Sequence, residues 1–321
     1  MDKKNKFSGA SLQKARVKAY FLNPFIKTLR FHKDSILKIL PHPKAKNVVF
    51  SGSADGEICS WLLNREKCLF NIKAHKRCVR GLSLNYNGQF LLSCSDDNTL
   101  KLWKVLENRE NPQQTFESEG GFNSVNFNLV TSHFLTTGKT IVIWDFERFI
   151  PIQNIFQKEV TVSCAKFNPL EFNVILSSSS NRSITMHDLR LHSPVKNFFL
   201  EMCTNDIIWS KINPWDFTIA NEDSNLYTFD IRKINQAKKI FKGHVMPVQS
   251  LDQDGSSDLL ISGSLDRTIR IYKSNFDSEV FSSSRMSRVL CVSFSSDFNI
   301  ILSGSEDGNL RLWKRPENKF I

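Results

Sequence analysis

His75, Ser93, Asp97 and Trp103 stand close together in the chain. Serine, histidine and aspartate are the residue types of nucleophilic acyl chemistry: histidine takes the serine proton and aspartate orients the histidine. Ser95 is an alternative to Ser93. The same set recurs at His32, Ser51 or Ser53, Asp55 and Trp61. It recurs again at His244, Ser262 or Ser264 and Asp266, with Tyr272 in place of tryptophan. A nucleophilic triad needs one strained, exposed serine beside an oxyanion hole, and it occurs once. Three copies at a fixed spacing point instead to a buried polar network. The histidine would tie an inter-strand loop to the aspartate of a turn, while serine and tryptophan complete the hydrogen bonds. Asp307 and Trp313 repeat the aspartate and the tryptophan a last time.

Other chemistry fails on spacing. Gly138-Lys139-Thr140 resembles the end of a phosphate-binding loop, but such a loop needs glycine at 133, where His133 stands. Glu222-Asp223 and Glu306-Asp307 are paired carboxylates, and both fall at the turn position of the repeated set. His187 and His192 lack a helical metal-ligand spacing, and His187 occupies the place of a repeated aromatic residue. Ser177 to Ser180 read as a plain strand end. The seven cysteines contain no C-x-x-C pair, so zinc and redox motifs lack their spacing. They read as reduced thiols that act as small hydrophobes. No enzyme activity, cofactor, metal or small-molecule substrate is expected.

A repeating scaffold must position these residues. A turn residue precedes an aromatic residue or its stand-in by six positions, seven times over. The pairs are Asp55 and Trp61, Asp97 and Trp103, Gly138 and Trp144, Asn181 and His187, Asp223 and Phe229, Asp266 and Tyr272, and Asp307 and Trp313. Successive pairs are 42, 41, 43, 42, 43 and 41 residues apart. A period of about 42 is one four-stranded WD40 blade. Leu100-Lys101-Leu102-Trp103-Lys104 alternates apolar and polar, as a half-buried strand does. Asn87-Gly88, Asn168-Pro169 and Asn213-Pro214 break the strands.

The fold expected is therefore all-β, a seven-bladed WD40 β-propeller. Phe25 to Arg30 precede His32 as Cys68 to Lys73 precede His75. The early strand is thus expected to form the outer edge of the last blade and close the ring, removing two open sheet edges. The division expected is a basic arm at 1–20, the propeller at 21–315 and a short tail at 316–321. No run approaches the ~20 apolar residues that span a bilayer. The charged start of the chain is not followed by an apolar signal core. An intracellular protein without a membrane segment is expected.

The formal net charge is +11. A basic balance favours a polyanionic partner such as RNA. The abundance of Phe, Lys, Asn and Ile also fits an AT-rich coding bias. Lys33, Lys76, Arg77, Arg80, Arg285 and Arg288 fall in or beside loops that follow outer strands. A propeller gathers such loops on one face, as a positive surface or as solvated charge. Asp188-Leu189-Arg190 and Asp230-Ile231-Arg232 follow the blade-aromatic position in adjacent repeats. They resemble the Asp-x-Arg element by which some WD40 proteins dock on the DDB adaptor of cullin-four ubiquitin ligases. Ordinary strand-end salt bridges would look the same.

Longer segments narrow the resemblance. Ala220-Asn221-Glu222-Asp223-Ser224-Asn225-Leu226-Tyr227-Thr228-Phe229-Asp230-Ile231-Arg232 resembles the fifth-blade segment of the suppressor-of-fibrillarin WD40 family. Thr204 to Trp209, Ala74 to Gly81, Lys166 to Pro169, Arg285 to Val292 and the lead-in from Leu12 to Phe25 are similar to the same family. The resemblance implies a non-catalytic scaffold in the small-subunit processome, which includes the U3 small nucleolar ribonucleoprotein. Processome proteins, and pre-rRNA or small nucleolar RNA, would be its partners during 18S rRNA processing in the nucleolus. Family members are also linked to cullin-four ligases as substrate receptors, which is the alternative role. The family carries a long basic extension after the propeller, and this sequence stops at Ile321.

Overall fold

Strands here are short, polar on alternate positions, and broken every few residues by turn formers. In blade two, Val79–Leu84, Phe90–Ser95, Thr99–Lys104 and Gln114–Glu117 pair antiparallel in chain order. Leu91, Leu92, Cys94, Leu100, Leu102 and Trp103 are buried. Their residue types suit a pleated surface packed on both faces. The computed structural model describes residues 24–105, 111–118, 120–156, 160–191, 193–255, 259–273, 278–281 and 286–315. The expected arm at 1–20 and tail at 316–321 lie outside them.

Among the described residues, seven four-stranded sheets form a seven-bladed propeller. Their inner strands are Ile36–Pro41, Val79–Leu84, Ser124–Phe127, Val162–Phe167, Thr204–Trp209, Val248–Gln253 and Val289–Phe294. The one helical element described is a single 3-10 turn at Leu63–Arg65. The outer edge of blade seven is Phe25–Arg30, paired antiparallel with Asn309–Lys314. The ring thus closes through the early strand, as expected.

The core is not one mass but a series of layers between neighbouring sheets. Phe50 and Ile58 of blade one pack with Val79, Leu82 and Trp103 of blade two. Leu29, Leu302 and Leu310 of blade seven pack with Ile36, Val49 and Trp61 of blade one, which completes the circle. Side chains also staple successive inner strands to one another. Ser83 Oγ accepts from the Phe127 N–H, Asn126 Oδ1 from the Phe167 N–H, and Asp206 Oδ2 from the Leu251 N–H. Each bond satisfies a backbone donor that faces the channel, where no neighbouring strand can pair with it.

Candidate interaction surfaces

The repeated polar set folds into buried relays. In blade two the Trp103 indole donates to Ser93 Oγ at 2.9 Å. Ser93 Oγ lies 2.8 Å from His75 Nε2, and His75 Nδ1 lies 3.1 Å from Asp97 Oδ2. Indole gives to hydroxyl and Nδ1–H gives to carboxylate, and with a neutral His75 the hydroxyl gives to Nε2. Burial pushes the His75 pKa down, in agreement. Burial opposes ionisation of Asp97, yet hydrogen bonds from Thr99 and the Lys76 N–H, together with His75, hold its pKa down at about 2. Ser93 has no exposure to solvent, so its hydroxyl cannot meet a substrate.

Blade six repeats the relay. His244 lies 2.7 Å from both Ser262 Oγ and Asp266 Oδ2. Tyr272 takes the tryptophan place and meets His244 edge-on, 6.5 Å between ring centroids. Blade seven reaches the same end by other means: Trp313 donates to Ser303 Oγ at 2.8 Å, and the buried Arg311 binds Asp307 and Ser305. In blade four His187 fills the aromatic place and is buried, with Nε2 3.4 Å from Ser177 Oγ. Burial alone lowers its pKa to about 4. His192 lies outside the described residues.

Blade one departs from expectation. His32 Nε2 bonds Ser51 Oγ at 2.6 Å, and Trp61 donates to the same oxygen at 2.7 Å. Among the described residues, no hydrogen bond joins His32 to Asp55. His32 Nδ1 lies 3.7 Å from Cys59 Sγ. Thr99 and Thr268 clamp the aspartates of blades two and six in place. Glu57 stands at that position in blade one, so Asp55 has the N–H cap that all three aspartates share but no hydroxyl clamp. Polar atoms of His32, Asp55 and Glu57 lie within 4.8 Å of one another.

The loops that run from outer to inner strands bring Lys33, Lys76, Arg77, Arg80 and Arg288 to one face. Lys76 and Arg77 are exposed. Arg80 is paired with Asp96 at 2.8 Å, and Arg288 lies 3.8 Å from Glu306. Asp96 and Glu306, which precede the turn aspartates of blades two and seven, therefore offset part of the expected positive surface. Arg285 lies outside the described residues.

The opposite face holds the Asp-x-Arg pairs, at the ends of the third strands of blades four and five. Arg190 and Arg232 each fork onto their own aspartate, Asp188 and Asp230, through Nε and Nη2. Arg232 also lies 5.4 Å over the Trp215 ring. The Arg232 hydrogen bonds hold the Asp230 pKa at about 2. The geometry is that of strand-end ion pairs with exposed guanidinium groups.

A repeated relay that braces loops, with function left to the faces, defines a WD40-type propeller. The WD domain, G-beta repeat family matches residues 23–61, 66–104, 235–273 and 279–314. The WD40 β-propeller domain of Doa1 has the same fold, with a TM-score of 0.79 at 17% identity, over 92% of this chain and 98% of that one. Protein SOF1 of Saccharomyces cerevisiae is 32% identical over 95% of this chain and 68% of its own length. DDB1- and CUL4-associated factor 13 of Xenopus laevis is 34% identical over 95% of this chain and 70% of its own length. The human protein of that name is 33% identical over the same shares. The chain belongs to the family of SOF1 and DDB1- and CUL4-associated factor 13.

Proposed function

We propose that this chain is a non-catalytic scaffold of the small-subunit processome. It works in the nucleolus, where it helps to assemble pre-rRNA and processome proteins during production of 18S rRNA. Family membership across nearly the whole chain carries this reading. The absence of catalysis is supported by the relays. Ser51, Ser93 and Ser262 are fully buried, and each lies within hydrogen-bond reach of a histidine. The propeller at 21–315 acts through its faces. Lys76 and Arg77 are the candidate phosphate contacts, with Arg80, Arg285 and Arg288 beside them.

The test is purification of a tagged full-length copy from its own cells, followed by gradient sedimentation and sequencing of the bound RNA. Co-sedimentation with pre-ribosomal particles and enrichment of pre-rRNA are expected. A protein that stays at the top of the gradient with no rRNA precursor would overturn the reading.

A further inference from the structure

The face opposite Lys76 and Arg77 is made by loops between first and second strands, and it is apolar where a surface is ordinarily polar. Tyr86, Leu129, Val130, Leu170, Phe172 and Ile212 are all exposed there, on consecutive blades two to five. On the same face a recess of about 530 Å³ opens at the mouth of the central channel. Tyr86, Leu129, Phe167, Trp209 and Phe298 line it, together with Lys166, Lys211 and Asp252. Apolar side chains gathered in this way around a concavity mark an interaction site.

Two further observations identify the occupant. The first is rigidity. The loops that carry these tips are tied blade to blade. His42 Nε2 bonds Gly88 O at 3.1 Å, Asn128 Nδ2 donates to Phe172 O at 3.0 Å, and Asn168 Nδ2 donates to Pro214 O at 2.9 Å. Lys211 Nζ donates to Gln253 O, and Ser296 Oγ to His42 O. A surface held in this way loses little freedom on binding.

The second observation is charge. Asp252 is the one carboxylate lining the recess, and its oxygens are occupied. Oδ2 accepts from the Phe294 N–H and Ser293 Oγ, and Oδ1 from the Gln253 N–H and, at 3.4 Å, from Lys211 Nζ. Nearby, Asp297 is paired with Lys46, and Asp216 with Lys238. The Lys44 and Lys211 ammonium groups sit at the rim over the Tyr86 and Phe298 rings. Lys44 Nζ also donates to Asn87 Oδ1 at 2.8 Å and, among the described residues, pairs with no carboxylate, whereas Lys211 Nζ pairs with Asp252 Oδ1 at 3.4 Å. An ammonium has three N–H groups, so each lysine has at least one donor left over. The complement of this arrangement is a carboxylate beside an apolar side chain.

We propose that this mouth is a docking site for an acidic segment of a protein partner, which inserts an aromatic or leucine side chain into the recess. Lys44 and Lys211 bind the flanking carboxylates. The inference assumes only that the chain acts by contacts, and its test is separate from particle association.

The test is selection of random twelve-residue peptides displayed on phage against the full chain, with affinities of the enriched peptides measured by fluorescence anisotropy. Enriched peptides should carry Phe, Trp or Leu flanked by Asp or Glu. Leu129→Asp should weaken binding by about tenfold or more, as loss of roughly 1.4 kcal/mol of contact does. Lys211→Gln should weaken acidic peptides and spare their Asn and Gln counterparts. Leu129 and Lys211 are both exposed, so each variant should melt as the parent does. Failure to enrich any peptide, enrichment without carboxylates, or unchanged binding by Leu129→Asp would overturn the proposal. So would oligouridylate binding that Leu129→Asp abolishes, which would assign the mouth to RNA.

Discussion

Phe25 meets Trp313 edge-on, with 5.3 Å between ring centroids, and so joins the first described strand to the last. Their backbones are register partners in blade seven. The contact makes one sheet depend on both ends of the chain. Deleting residues 1–30 should therefore lower the melting temperature of the whole propeller, because it opens a sheet edge and uncovers the layer around Leu29. Deleting residues 1–23 leaves the strand in place and should not. Equal melting of both truncations and the parent would remove closure as a source of stability.

Asp97 and Asp55 look alike in sequence and should differ in energy. Asp97→Ala removes the charged acceptor of His75 Nδ1 and the Lys76 N–H and leaves the buried Nδ1 with Thr99 Oγ1 alone, at a cost of roughly 1–3 kcal/mol for the lost charged hydrogen bonds. Asp55→Ala breaks a turn cap and leaves the bonds of His32 intact. Double-mutant cycles by urea unfolding should show coupling between His75 and Asp97 above about 1 kcal/mol. Coupling between His32 and Asp55 should be near zero. Equal couplings would contradict the geometry of blade one.

His187 makes stability depend on pH. Its ordinary pKa of 6.5 is lowered to about 4 by burial. The unfolded chain takes up this proton below pH 6.5, whereas the folded chain resists until about 4. Stability is therefore full above 6.5 and falls as pH drops through that window. The loss from this residue between pH 7 and pH 5 is about 2 kcal/mol. His32 and His75, both lowered by burial, act in the same direction. His187→Phe, which copies Phe229 of blade five, should flatten the dependence of the urea midpoint on pH. An unchanged slope would show that His187 protonates freely in the fold.

Gly56 sits in a turn with φ of +86°, and a Cβ there would fall 2.2 Å from the His75 carbonyl oxygen. Both the conformation and the backbone of the next blade exclude a side chain. Gly56→Ala should destabilise by several kcal/mol, beyond the ~1 kcal/mol of a simple glycine effect. Asn98 holds the same place in blade two with φ of 65°, so Asn98→Gly should be neutral or mildly stabilising. Chemical denaturation of both variants checks the pair.

The repeat was legible because strand length fixes the six-residue step from turn to aromatic residue. Closure was legible because Phe25 to Arg30 stand in register with Cys68 to Lys73. The exception at His32 was not read, although its signal is present: threonine follows Asp97 and Asp266 by two residues, and Glu57 follows Asp55. The partners of Arg80 and Arg288 were also visible as Asp96 and Glu306, each just before a turn aspartate. The apolar mouth was not legible. Tyr86, Leu129, Leu170 and Ile212 are single residues about one repeat apart, ordinary in any one loop, and only the ring brings them side by side.

Lys76 and Arg77 should contribute most to any RNA contact made by their face. Both are exposed, and Asp97 accepts from the Lys76 backbone N–H, which leaves the ammonium group to solvent. Arg80 and Arg288 must exchange a carboxylate for a phosphate, and exposed ion pairs of this kind are worth little in either direction. Phosphate contacts release counterions, so affinity falls with salt by a slope of about 0.7 per contact on single strands. Changing Lys76 and Arg77 together to Glu should reduce the slope for a pre-rRNA fragment by about 1.4. Arg80→Glu with Arg288→Glu should reduce it less. Changing all five, Arg285 included, should release the protein from pre-ribosomal particles while its melting temperature holds. If the five-fold variant still co-sediments as the parent does, this face makes no essential RNA contact. Association with the particle would then rest on protein contacts.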